Sequence, residues 1–193
     1  MKTKCYISTI CYSTVEWIKS KLDDYIKCGK IDFYCYIFHK KEDDEKKDHV
    51  HLFIMPSCQL DTKDLDIALS MPIDENGNSF GTCGIWHTVG KNNISDFLLY
   101  VLHDVMYMRI KGYSERKYTY SESDFITSNE DGLNTLLFDA YHSSIFTFNR
   151  RVLDIILKSK DIKQTGKDLV LNGYIPLNST CSFHHLLQIL QGG

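Results

Sequence analysis

Residues His49-Val50-His51 carry two imidazoles at positions i and i+2. In a strand both rings would leave the same face, with Val50 turned to the other. Neutral imidazole is the commonest protein ligand for a metal, so the pair suits one shared divalent cation. A packed strand pair with no ligand role has the same pattern, which makes the spacing weak by itself. Just upstream runs the acidic stretch Glu42, Asp43, Asp44 and Glu45. One of these carboxylates would complete a two-histidine, one-acid set that leaves positions open for a phosphate oxygen. Spacing does not decide which one, and such a charged run is also an ordinary solvated loop. Tyr100 and His103 lie three residues apart, on one face of a helix. A phenol can act as a nucleophile, but with an ordinary pKa of about 10 it needs help near neutral pH. A third group, Arg109, Lys111, Arg116 and Lys117, is interleaved with Tyr113, Tyr118 and Tyr120. Cations mixed with aromatic rings suit single-stranded nucleic acid; they suit equally a solvated loop whose tyrosines pack on a sheet.

The elements that must position these groups follow from the hydrophobic pattern. Cys5 to Tyr12 is β-branched and aromatic, a strand. Ser13 or Thr14 then caps a helix with Val15, Ile18, Leu22, Tyr25 and Ile26 at helical spacing, stopped at Gly29. Ile31 to Phe38 reads as a second strand, and Lys40 to Asp48 as a solvated connection. His49 to Met55 reads as a third strand, ended by Pro56, so that the last two form a hairpin. A short helix is expected over Asp61 to Met71, then a break through Pro72 and the Asp74 to Asn78 turn. Phe80 to Val89 is expected as a fourth strand. Asn93 or Ser95 caps a helix carrying Phe97, Leu98, Val101, Leu102 and Val105. Lys111 to Ser123 is a polar, tyrosine-rich loop, and helical patterns follow at Leu133 to Phe138, Val152 to Leu157 and Phe183 to Leu190. The order implies an α+β domain with an antiparallel sheet, followed by a helical C-terminal segment.

The chain has 193 residues, 43% of them hydrophobic and 24% charged, enough to bury a full core without staples. No apolar run reaches the roughly 18 residues of a spanning helix, and no signal-peptide pattern is present, so a cytoplasmic protein is expected. Seven scattered cysteines without a Cys-x-x-Cys pair read as reduced, mostly buried thiols. A net charge of −3 argues against a protein that simply coats nucleic acid, and leaves open an enzyme with locally clustered cations.

Taken in order, these motifs resemble the HUH endonucleases, and within them the rolling-circle replication initiators of small Gram-positive plasmids. The resemblance rests on a first strand CYISTICY, the segment His39-Lys40-Lys41-Glu42, the strand HVHLFI, Tyr100-Val101-Leu102-His103, and KYTYSESDF from Lys117 to Phe125. It covers roughly residues 4 to 126, and only the combination of motifs is specific. It implies a ferredoxin- or RRM-like nuclease domain over residues 1–126. Residues 127–193 would form a helical segment for oligomerisation or DNA contact. It implies a divalent metal, Mn²⁺ or Mg²⁺, held by His49, His51 and Glu42. Tyr100 would attack a DNA phosphate, aided by His103, to leave a 5′-phosphotyrosine and a 3′-OH primer. Arg109, Lys111, Arg116 and Lys117 would contact DNA. The implied partners are single-stranded or hairpin origin DNA, a host helicase and polymerase, and further copies of the chain, with no membrane. Two departures stand out: Glu42 where relatives often carry Asp, and Lys40 where they often carry Asp. With Tyr107 two helical turns beyond Tyr100, the pattern is that of a one-tyrosine enzyme. A transposase or relaxase of the same superfamily, and a non-catalytic DNA-binding module, are the alternatives. Cys181, His184 and His185 lack a fourth spaced ligand for zinc.

Overall fold

In a computed structural model the described residues are 1–41, 47–71, 81–114 and 116–142. They form an α+β fold built on a five-stranded antiparallel sheet. Two short strands, β1 (Lys2–Thr3) and β5 (Leu60–Asp61), pair separately. The main sheet consists of β2 (Tyr6–Cys11), β3 (Ile31–His39), β4 (His49–Pro56), β6 (His87–Val89) and β7 (Phe125–Thr127), in the order β6-β2-β4-β3-β7. Helix α1 (Val15–Lys27) joins β2 to β3, and α2 (Thr62–Leu69) precedes β6. Without β7, the chain runs β-α-β-β-α-β with the fourth strand beside the first and the third between first and second, the ferredoxin-like arrangement.

Local chemistry explains the helix limits. The Thr14 hydroxyl accepts from the Trp17 amide at the start of α1, and Asp61 Oδ1 accepts from the Lys63 amide at the start of α2. Gly29 ends α1 at φ +64, where its amide reaches the Ile26 carbonyl and the Lys30 amide reaches Tyr25. This is a Schellman closure, which needs a left-handed residue that glycine adopts at least cost.

Both faces of the central strands are buried, which is why they read as almost unbroken apolar runs. On one face Ile7, Tyr34, Tyr36, Leu52 and Ile54 pack beneath Ile18 and Leu22 of α1 and Leu65 and Leu69 of α2. On the other, Phe33, Cys35, Ile37 and Phe53 pack beneath α3 (Ile94–Val101), α4 (Val105–Ile110) and α5 (Glu130–His142). Leu133, Leu137 and Ala140 of α5 belong to the same core as Leu98 of α3, so residues 130–142 are built into the sheet domain.

Several expectations are corrected. Of the fourth strand expected over Phe80–Val89, Phe80 lies outside the described residues, and among the described ones the strand is His87–Val89, preceded by a single bridge from Cys83 to Cys11. The helix expected to run through Val105 stops at Val101, because His103 takes a left-handed conformation (φ +51) that no helix continues. Strand β7 lies just beyond the polar loop, where a three-residue run gave no periodicity to read. Cys11 and Cys83 are paired as a disulfide, and Cys5, Cys28 and Cys58 are exposed, so among the described cysteines only Cys35 is a buried thiol. The helices expected at Val152–Leu157 and Phe183–Leu190, and Cys181, His184 and His185, lie outside the described residues. Among the described residues, no helix is long and apolar enough to cross a membrane.

Candidate metal centre

The β3–β4 hairpin brings the histidines together through its register. His39 stands directly opposite His49, and His51 stands opposite Ile37. Residues paired across an antiparallel ladder share a face, and i, i+2 residues do as well. His39, His49 and His51 therefore project together on the face that α3 covers. They form a group able to hold a metal ion, with one ligand nitrogen from each, all within 4.8 Å of one another.

The outer hydrogen bonds fix which nitrogens face inward. His39 is 2% exposed, and its Nε2–H donates to the Val101 carbonyl at 2.6 Å, so that Nδ1 would be its ligand atom toward a metal. That carbonyl is one of the last in α3 and has no partner within the helix, so the imidazole satisfies it. His49 donates from Nδ1 to the Lys47 carbonyl at 2.9 Å, which turns the Nε2 lone pair toward His51. A metal-bound histidine usually donates its other nitrogen to a carbonyl in this way, which fixes tautomer and ring direction. The two Nε2 atoms of His49 and His51 lie 3.2 Å apart. With metal–nitrogen bonds of about 2.0–2.1 Å, neighbouring ligands on one ion sit roughly 2.9–3.4 Å apart, so this spacing fits. Burial pushes the pKa of His51 down to about 2, with further lowering from His39, His49, His103 and Arg116. It is thereby held in the neutral form that ligation needs.

Tyr100 reaches the same place from α3. Its ring centroid is 6.1 Å from that of His51, nearly perpendicular, and 5.5 Å from that of Tyr113. Its hydroxyl lies 3.5 Å from Nη2 of Arg116. His103 follows the helix end in a second Schellman closure: its amide bonds the Tyr100 carbonyl, and the Asp104 amide bonds Leu99. The ring turns inward, 4.5 Å from that of His39 and 6.5 Å from that of Tyr100, and Nδ1–H donates to the Tyr118 carbonyl at 2.7 Å. His103 thus stands in the imidazole cluster, with one nitrogen engaged away from Tyr100, and not one helical turn beyond it. Tyr120 stacks on His39 at 4.3 Å, and its hydroxyl accepts from the Lys40 amide at 3.0 Å. The segment from Arg116 to Tyr120 therefore forms a wall of the site.

The expected site residues divide accordingly. His49, His51, Tyr100, His103 and Arg116 converge. Lys111 is exposed and ion-paired with Asp96 at 3.1 Å, and Lys117 is exposed beside the Tyr118 ring. Glu42, expected as the third ligand, lies outside the described residues, as does the side chain of Arg109, whose backbone belongs to α4. His39 was not expected as a ligand. The signal that could have found it is cross-strand register, but the connection between the strands spans residues 40–48 and its length does not fix that register. Compared with models of known protein families and with curated proteins, the chain matches none.

Proposed function

We propose that this protein is a metal-dependent DNA-nicking and -joining enzyme, a rolling-circle replication initiator with Tyr100 as its nucleophile. The observation that carries the reading is the convergence of three imidazoles and one tyrosine at the end of a single hairpin. His39, His49 and His51 would hold a divalent cation, Mn²⁺ or Mg²⁺, with Glu42 as a further carboxylate ligand. When bound, the cation supplies Lewis-acid polarisation of a phosphate oxygen. Tyr100 attacks phosphorus in line: the phenolic O–P bond forms and the P–O3′ bond breaks. The phenolic proton passes to solvent, and the departing 3′-oxygen takes one up. The product is a 5′-phosphotyrosine and a free 3′-OH, and the reverse reaction rejoins ends because the diester is conserved.

His103, with Nδ1 donating to Tyr118, orients the cluster around His39 more directly than it serves Tyr100. Arg116, at the Tyr100 hydroxyl, and the exposed Lys117, beside the Tyr118 ring, would contribute cations for binding single-stranded or hairpin DNA. The test is incubation with a randomised pool of single-stranded oligonucleotides and Mn²⁺. The reading expects a covalent protein–DNA species that survives denaturation and is absent from Tyr100→Phe. A pool that yields no such species with Mn²⁺, Mg²⁺ or Co²⁺ contradicts it.

A further inference from the structure

Among the described residues two tyrosines are exposed, Tyr12 at 44% and Tyr113 at 46%, and each meets a ring of the metal centre. Tyr113 lies against both Tyr100 and Tyr107, so it belongs to the packing around the tyrosine of α3. Tyr12 meets His49, with ring centroids 6.1 Å apart and planes at 52°. The ladder explains that contact: Cys11 pairs with Val50, so the next residue of the chain falls level with His49, on the face that carries the imidazoles. The backbone beneath Tyr12 is fixed from several sides. Its amide donates to the Thr82 carbonyl at 3.0 Å, the Gly84 amide donates to the Ile10 carbonyl at 2.7 Å, and Cys11 is joined to Cys83. The Ser13 hydroxyl donates to the Leu69 carbonyl, and Gly81 lies so close that a β-carbon there would meet the Ser13 backbone at 2.6 Å. Residues 81–84 thus strap the turn that carries Tyr12, yet leave its ring in solvent. A ring held this way loses little freedom when a ligand covers it.

We propose that Tyr12 is a base-stacking subsite, taking the face of an unpaired base in the nucleotide that adjoins the phosphate at the metal centre. This rests on the reading of that centre as the place where DNA is cut. A base hangs one sugar away from its own phosphate, and the Tyr12 ring stands one imidazole away from the position of the cation. A phosphate oxygen on the cation therefore brings a neighbouring base within reach of that ring. Every base has a π face, so stacking on a tyrosine tolerates any sequence. It does require a free face, which a base stacked inside a duplex does not offer. Tyr12 thus favours single-stranded or looped DNA at the cut without reading which base is there.

The experiment uses the full chain with Mn²⁺ and a fluorescein-labelled oligonucleotide enriched by binding from a randomised single-stranded pool. Affinity is read by anisotropy in a Tyr100→Phe background, so that no strand is cut, and the wild type with the same oligonucleotide locates the cut. Adding Tyr12→Ala is expected to weaken binding about 5- to 150-fold, the range for one base on one aromatic ring. Tyr12→Phe, which keeps the π face and loses the hydroxyl, is expected to bind as tightly as the protein with Tyr12 intact. An abasic site is then placed at every position in turn. One position, adjoining the cut, is expected to cost the protein with Tyr12 that same loss and to cost Tyr12→Ala nothing further. Undiminished binding by Tyr12→Ala overturns the proposal, as does a loss in Tyr12→Phe equal to that in Tyr12→Ala. A coupled position remote from the cut, or none at all, overturns it too. If Tyr12→Ala melts early, Tyr12→Leu, apolar but without a π face, carries the comparison, and undiminished binding in it overturns the proposal. A wild type that forms no adduct while the coupling persists defeats the nuclease reading and leaves the base subsite standing. A chain that binds no oligonucleotide defeats both.

Discussion

His39 and His49 face each other across the β3–β4 ladder with their ring centroids 5.5 Å apart. His39 closes one arm of the hairpin and His49 opens the other, so one register brings in a third imidazole besides the His49–His51 pair. The carbonyls of Val101 and Lys47 then turn the inward nitrogens toward a common point. The centre depends on α3 as much as on the sheet, because Val101 is the last residue of that helix.

Metal binding should therefore involve all three histidines. In a thermal melt, Mn²⁺ at about 100 times its dissociation constant stabilises a one-site protein by about 2.7 kcal/mol. His39→Ala, His49→Ala and His51→Ala are each expected to lose most of that shift at the same metal concentration. An undiminished shift in His39→Ala would remove it from the ligand set.

The metal-free protein should weaken in acid because of His51. Its folded pKa, about 2, lies below the unfolded imidazole value of about 6.5. As pH falls through 6.5 the unfolded chain binds this proton and the folded one does not, so the stability present above that value declines toward the folded pKa. The slope is at most about 1.4 kcal/mol per pH unit for one proton. Urea midpoints in EDTA at pH 7.5, 6.5 and 5.5 measure it, and His51→Leu should flatten the decline. An equal decline in that variant would assign it to other groups.

His103 occupies a left-handed position that Gly29 fills at the end of α1. His103→Ala and His103→Gly both remove a ring that is 5% exposed and its bond to Tyr118, so both should destabilise. Glycine also removes the β-carbon that disfavours this conformation, and should be the more stable of the two by about 1 kcal/mol. Denaturant titration of the pair decides it, and an alanine variant as stable as the glycine one would contradict the strain.

Much of this arrangement was legible in the sequence, because strands and helices with strong periodicity announce themselves. The β3–β4 hairpin, a helix cap at Ser13 or Thr14, a helix starting at Asp61 and the face shared by His49 and His51 all follow from local patterns. The place of His39 in the histidine cluster did not, since it depends on a register set by the whole sheet. The break after Val101 was hidden for a different reason: Leu102, His103 and Asp104 carry no Gly or Pro, and a histidine takes the glycine position only because its ring gains a buried partner. The Cys11–Cys83 pairing joins residues 72 apart in sequence, and no spacing reveals that.

Helix α3 carries Tyr100 and is held by Leu98, which is fully buried against the sheet. Leu98→Ala should cost about 2–5 kcal/mol, whereas Ile67→Ala, at a position 76% exposed, should stay within about 0.5 kcal/mol. Equal effects in a chemical denaturation series would mean that α3 is not clamped as described.

The most direct test of the whole account is to digest the covalent DNA adduct formed with Mn²⁺ and identify its attachment residue by mass spectrometry. A 5′-phosphate on Tyr100, absent when EDTA replaces Mn²⁺ during the incubation and absent from His51→Ala, is the predicted result. Attachment to another residue, or an adduct on Tyr100 that forms equally well without the metal and without His51, would contradict it.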